Sequence, residues 1–95
     1  MNSDIKRVSV VFKTLANINR IKIIKLLKKN DKLAVHQIAK KLKISVPSTS
    51  RHLILLNDLD VLNFEGKSNQ VFYSINSEMP KDFKEAINFL EKYTI

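Results

Sequence analysis

The chain has 95 residues, no cysteine, one glycine, two prolines and a formal net charge of +8; it suits one small domain, residues 1–95, and excludes disulfides, thiolate metal sites and cysteine nucleophiles. Charged residues run through positions 1–20 and no apolar run approaches a membrane span, so neither a secretory leader nor a membrane partner is expected and the chain reads as cytoplasmic. Residues 1–55 hold thirteen Lys/Arg against two Asp/Glu, while residues 56–95 hold four against seven; the basic first half suggests a polyanionic partner, although a lysine-rich composition alone gives the same excess.

Ile5, Val8, Phe12 and Leu15 recur at helical spacing and predict a first helix over 4–15. Asn17 is suited to cap a second helix, whose apolar positions are Ile21, Ile24 and Leu27 with Ile23 and Leu26 beside them. That breadth makes it central, with Lys22, Lys25, Lys28 and Lys29 as a solvated face. A short third helix carries Ile38, Ala39 and Leu42. Lys43-Ile44-Ser45 is too short for anything but a tight turn, after which Ser45 caps a fourth helix with Pro47 in its first turn. After Asp60 the period changes. Leu62 and Phe64 alternate, Glu65-Gly66-Lys67-Ser68-Asn69 interrupts, and Val71, Tyr73 and Ile75 alternate again, which predicts a β-hairpin. Phe83, Ile87, Leu90 and Tyr93 mark a last helix, with Pro80 near its start. The fold class is therefore mainly α (α+β). Two helices across a tight turn, followed by a hairpin, make a winged helix-turn-helix.

The fourth helix, SVPSTSRHLILL over 45–56, has two ends of different character. Wound as a helix, Val46, Thr49, Leu53 and Leu56 form a core-facing stripe and Arg51 lies opposite, with Pro47 and Ser48 beside it and Ser50 on the flank. A helix that enters a major groove needs small residues at its start. Serine hydroxyls (Ser45, Ser48, Ser50) and free first-turn amides bond phosphate oxygens, and Arg51 has the fork that reads guanine O6 and N7. The apolar end, Leu53 to Leu56, anchors on the protein. A solvated Arg51 after an ordinary serine cap is the plainer alternative. His52 falls beside Leu56, where packing and a bond to nearby backbone are expected rather than a metal ligand or a base, with a DNA contact as the alternative. In the hairpin, Lys67 is the one basic tip residue and offers a phosphate or minor-groove contact. Glu65 is expected to point away.

These residues resemble the ArsR/SmtB family of small dimeric winged-helix transcription regulators. The similarity lies in LANINRIKIIKLL (15–27), LAVHQIAKKLKISVPSTSRHLILL (33–56) and EGKSNQVFYSI (65–75), with SRHL its most specific stretch. It implies base contact at Val46, Pro47, Ser50 and Arg51. It also implies a homodimer joined by the first and last helices, with Ile5, Val8, Phe12, Phe83, Ile87 and Leu90 at the interface. A 95-residue monomer is not expected to cover those side chains. Two recognition helices would then sit one duplex turn apart on an inverted-repeat operator. The family's metal-sensing members carry Cys-Val-Cys where this chain has Ala34-Val35-His36. A lone His36 cannot hold a metal, and Asp82, Glu85 and Glu91 read as surface charges, so no metal site of the family type and no cofactor are expected. Val46 and Pro47 replace polar or small residues and suit thymine methyl groups, hence A·T pairs under the helix start.

The expected function is a sequence-specific, dimeric DNA-binding regulator. Repression is inferred from the family and from the lack of room for an activating domain. The alternative is a winged-helix protein-interaction module in a larger complex. An enzyme is not expected: there is no glycine-rich phosphate loop, and His36 and His52 have no evident carboxylate partner.

Overall fold

The computed structural model describes the backbone of residues 2–94 and the side-chain surroundings of residues 4–94. Five helices and a small sheet follow one another as α1 (Asn2–Leu15), α2 (Ile18–Lys29), β1 (Leu33–Ala34), α3 (Val35–Leu42), α4 (Val46–Asp58), β2 (Leu62–Lys67), β3 (Gln70–Ile75) and α5 (Lys81–Tyr93). The sheet is antiparallel throughout, in the order β1-β3-β2. The expected winged helix-turn-helix is the fold observed: α3 and α4 are the helix-turn-helix, and β2 and β3 are the wing.

Local chemistry accounts for the element ends. The Asn17 side chain accepts the Arg20 N–H at 3.1 Å and starts α2. At its other end the Asn30 amide donates to Leu26 O at 2.9 Å. The Ser45 hydroxyl accepts the Ser48 N–H at 3.1 Å and starts α4. Helices α3 and α4 both end in paired reverse bonds. Lys43 N–H reaches Lys40 O and Ile44 N–H reaches Ala39 O; Asp60 N–H reaches Asn57 O and Val61 N–H reaches Leu56 O. This closure requires a left-handed residue, a place usually taken by glycine. Here Lys43 (φ 59) and Asp60 (φ 63) fill it.

One apolar core holds the elements together. Ile23, Ile24 and Leu27 of α2 meet Ile38 of α3, Leu53 and Leu56 of α4, Val61, Leu62, Tyr73, and Phe83 and Ile87 of α5, with Val11 and Leu15 of α1 at one side. Helix α2 is central, as its breadth predicted, although Ile21 is only half-buried.

Several expectations need correction. Strand β1 was not foreseen; it is two residues long and has no period to read. The wing turns at Ser68-Asn69, whose positive φ values (54 and 62) close a two-residue hairpin of the primed type. Glu65, Gly66 and Lys67 therefore belong to β2, with Lys67 paired to Gln70 beside the tip. Phe64 alternates with Leu62 yet is exposed, because the sheet reaches past the core. Val46 is 49% exposed and leaves the core stripe, since it is the first residue of α4. Ile54 and Leu55 are also exposed, so the end of α4 is amphipathic rather than wholly buried.

The largest correction concerns α5. Phe83 (0% exposed) and Ile87 (1%) are inside the protomer's own core and present no surface to a second copy. Leu90 is half-buried. The outward face of α5 instead carries Phe89 (59%) and Tyr93, whose rings lie 5.0 Å apart. On α1, Ile5, Val8 and Phe12 (67%) are exposed as expected.

Candidate nucleic-acid interface

Helix α4 turns two faces in opposite directions. Thr49, Leu53 and Leu56 are buried, and the Thr49 hydroxyl donates to Ser45 O at 2.9 Å, which satisfies it inside the helix. Ser45, Val46, Pro47 and Arg51 are exposed, with Ser48 and Ser50 half-buried beside them. The predicted groove residues of α4 are thus one continuous outer surface. Lys67 stands apart, exposed on the wing.

The first turn of α4 differs in one respect from the expectation of several free amides. Ser48 N–H is taken by the Ser45 hydroxyl and Pro47 has none, which leaves the Val46 N–H as the uncommitted donor of that turn. The Ser45 hydroxyl accepts one bond and retains its own hydrogen to donate. Phosphate attraction at this end rests on hydroxyls and on nearby cations. Sequence reasoning did not single out Lys43, which the left-handed turn between α3 and α4 places, exposed, two residues before Ser45.

Arg20 is a second residue missed. Its Nε donates to Thr14 O at 2.7 Å, its Nη2 to Lys13 O at 3.2 Å, and its Nη1 lies 3.3 Å from His52 Nδ1. Guanidinium nitrogens only donate, so Nδ1 accepts and the His52 ring is neutral, with its proton on Nε2. His52 is half-buried as expected, but its partner is this arginine and not backbone. No local signal marks Arg20 out, since its partners lie six, seven and 32 residues away.

Burial, and then the charges of Arg20 and Arg51, push the His52 pKa below its ordinary 6.5. The unfolded chain therefore binds this proton more readily than the folded one. Stability is fully present above about pH 6.5 and declines as pH falls from there through the depressed folded value. Urea midpoints are expected to drop between about pH 7.5 and about pH 5.5. His52→Asn is expected to flatten that slope, and an unchanged slope would assign it to another group. Asp82 and Glu65 are also held low, by Arg7 and Lys32, but their losses begin below the ordinary 3.8 and 4.5.

The acidic residues read as surface charges each face a cation. Asp82 takes a two-pronged bond from Arg7, at 2.7 and 3.1 Å, joining α1 to α5. Glu91 meets Lys28 at 3.1 Å, and Glu85 lies 3.9 Å from Lys81. Glu65 pairs with Lys32 at 3.0 Å on the outer face of the sheet. Ala34 is buried in β1 and His36 is exposed. Among the described residues, no group of three or more His, Asp or Glu could hold a metal ion. No helix among them is long and apolar enough to cross a membrane.

Between α1 and α5 runs an apolar groove of about 500 Å³, lined by Phe12, Leu15, Ala16, Ala86, Phe89 and Leu90, with Glu85 at its edge.

The profile of the bacterial regulatory protein, arsR family, matches residues 17–63, from the Asn17 cap into β2. Over 83 residues the chain is 36% identical to the transcriptional repressor SdpR of Bacillus subtilis, spanning 86% of this chain and 91% of that protein. The chain belongs to the ArsR family. It is also 36% identical over 93 residues to the cadmium resistance regulatory protein CadC of Listeria innocua, covering 90% of this chain and 78% of that one. Among solved structures, HlyU from Vibrio cholerae superposes with a TM-score of 0.78 at 26% identity, over 98% of this chain and 97% of that one. The resemblance read from SRHL and its flanks is therefore a true membership, in a family of transcription regulators and not of enzymes.

Proposed function

We propose that this ArsR-family member is a homodimeric repressor that reads an inverted-repeat operator through α4. One observation carries this reading: Ser45, Val46, Pro47 and Arg51 form a single exposed surface on the helix whose opposite face is locked in the core. Arg51 reads a guanine edge. Val46 and Pro47 lie against thymine methyl groups. Ser50 faces a base edge beside them, and Ser45, Ser48, Lys43 and Lys67 meet phosphates. The second copy covers Ile5, Val8, Phe12, Leu90, Phe89 and Tyr93, which places two α4 helices about 34–36 Å apart. With Ala34 buried and His36 alone, relief of repression by a metal of the CadC kind is not part of this reading. A cytoplasmic location follows from DNA as the partner.

Fluorescence anisotropy with the gene's upstream duplex and an unrelated duplex, across a salt series, tests it. Wild type is expected to prefer the upstream duplex and to weaken steeply with salt, because phosphate contacts release counterions. Arg51→Ala is expected to lose about 1–3 kcal/mol of the preference while keeping non-specific affinity. Lys43→Gln is expected to weaken both duplexes alike and to shorten the salt slope by about 1. Selection from random duplexes that yields G·C-rich half-sites would remove the thymine contacts. The exposed Ile54 and Leu55, on the face of Arg51, favour the second reading, a protein-docking module. Weak binding, equal on both duplexes and indifferent to Arg51, would mean that the basic charge is compositional and would favour that reading instead.

A further inference from the structure

We propose that the Arg20–His52 contact is a positioning link, which holds α4 at a fixed angle to α1 and so sets the half-site spacing the dimer accepts. The inference rests on the dimeric DNA reading above and assigns a residue pair to it.

Arg20 ties three helices together. Its backbone N–H is held by the Asn17 cap at the start of α2. Two guanidinium nitrogens cover the Thr14 and Lys13 carbonyls at the end of α1. These are among the last carbonyls of that helix, which lack partners inside it, and a cation suits the negative end of the helix dipole. Capping α1 needs only those two bonds. The third nitrogen reaches 3.3 Å across to His52 Nδ1, in the middle of α4.

The two ends of this contact matter to function. Lys13 directly follows Phe12, which lines the apolar groove, and His52 directly follows Arg51. The path from the groove to the reading arginine is Phe12–Lys13, Arg20, His52–Arg51. Otherwise α1 packs mainly on α2 and α5, while α4 packs mainly on α3 and β2. Among the described residues, the direction of α4 relative to α1 is thus carried by the shared apolar core and by this polar bridge. In the proposed dimer α1 lies at the interface of each protomer, so a small rotation at the bridge is repeated in both recognition helices and adds up between them. Its acceptor is a ring that must stay neutral, flanked by Arg20 from α2 and Arg51 on α4.

The test compares wild type with His52→Leu, His52→Asn and Arg20→Lys on three duplexes: a single half-site, the full operator, and the operator with one base pair inserted between half-sites. His52→Leu fills the same space without an acceptor. His52→Asn keeps an oxygen near the place of Nδ1. Arg20→Lys keeps the charge but not the fork. His52→Leu and Arg20→Lys are expected to lose about tenfold of the preference for native spacing, the scale of one charge-assisted bond. Half-site affinity and dimerisation by sedimentation should not change, and His52→Asn is expected to restore the preference. A His52→Leu protein as selective for spacing as wild type would overturn the link, whatever happens to its melting temperature. A loss equal on half-site and full operator would overturn it too. Failure of wild type to prefer any duplex would instead remove the DNA reading, and the link with it.

Discussion

Replacing Phe12 and Phe89 by glutamate is expected to turn the protein into a folded monomer and to lower operator affinity about 10²–10⁴-fold, the factor that linking two half-site contacts supplies. Both rings are mostly exposed in the protomer, at 67% and 59%, so the substitutions remove little of its core. They line the two sides of the α1–α5 groove. Closing a second copy over that groove would bury two carboxylates without partners, and such burial is strongly unfavourable. Sedimentation equilibrium should give the monomer mass, while circular dichroism keeps its helical signal. Affinity for a single half-site should stay near that of wild type. A double variant that remains dimeric with full affinity would place the interface elsewhere.

Phe83→Ala is expected to cost about 3–5 kcal/mol of folding stability, the range for emptying a buried aromatic site. That is a large share of the roughly 5–15 kcal/mol available to a domain of this kind. Phe83 is fully enclosed, and the Arg7 guanidinium lies 5.2 Å above its ring while pairing with Asp82 next door. Its loss therefore opens a cavity and loosens the hold of α1 on α5. Urea unfolding in the Phe12→Glu/Phe89→Glu background separates this cost from dimerisation, because association stabilises by mass action. A loss below about 1 kcal/mol would mean that α5 repacks around the gap.

The contrast between Phe83 and Phe89 shows where sequence reasoning stops. Helix α5 carries two overlapping apolar stripes, 83-87-90 and 86-89-93. Spacing alone says that each is a face. It does not say which face meets the protomer and which is left over, because that depends on how α1 and α2 arrive. The same holds on α1, where Val11 and Leu15 point inward while Ile5, Val8 and Phe12 point outward. The helix-turn-helix was legible for a different reason. Asn17, Ser45 and the short turn at Lys43 act within a few residues, so their chemistry is local. The outer face of α4 was legible too, apart from Val46, since a first helical residue projects beyond the core its stripe reaches. Arg20 and β1 were illegible because both depend on partners far along the chain, and the wing loop reads three residues too long because Gly66 suits a turn although the chain there is still paired in β2.

Strand β1 has a consequence out of proportion to its two residues. Leu33 and Ala34 pair with Tyr73 and Phe72 of β3, and α3 begins at the very next residue. The first helix of the helix-turn-helix is thereby stitched to the wing. Neither part needs to find its place when a duplex arrives, so little conformational freedom is left to lose on contact. A protein built this way recognises its target largely as a preformed shape.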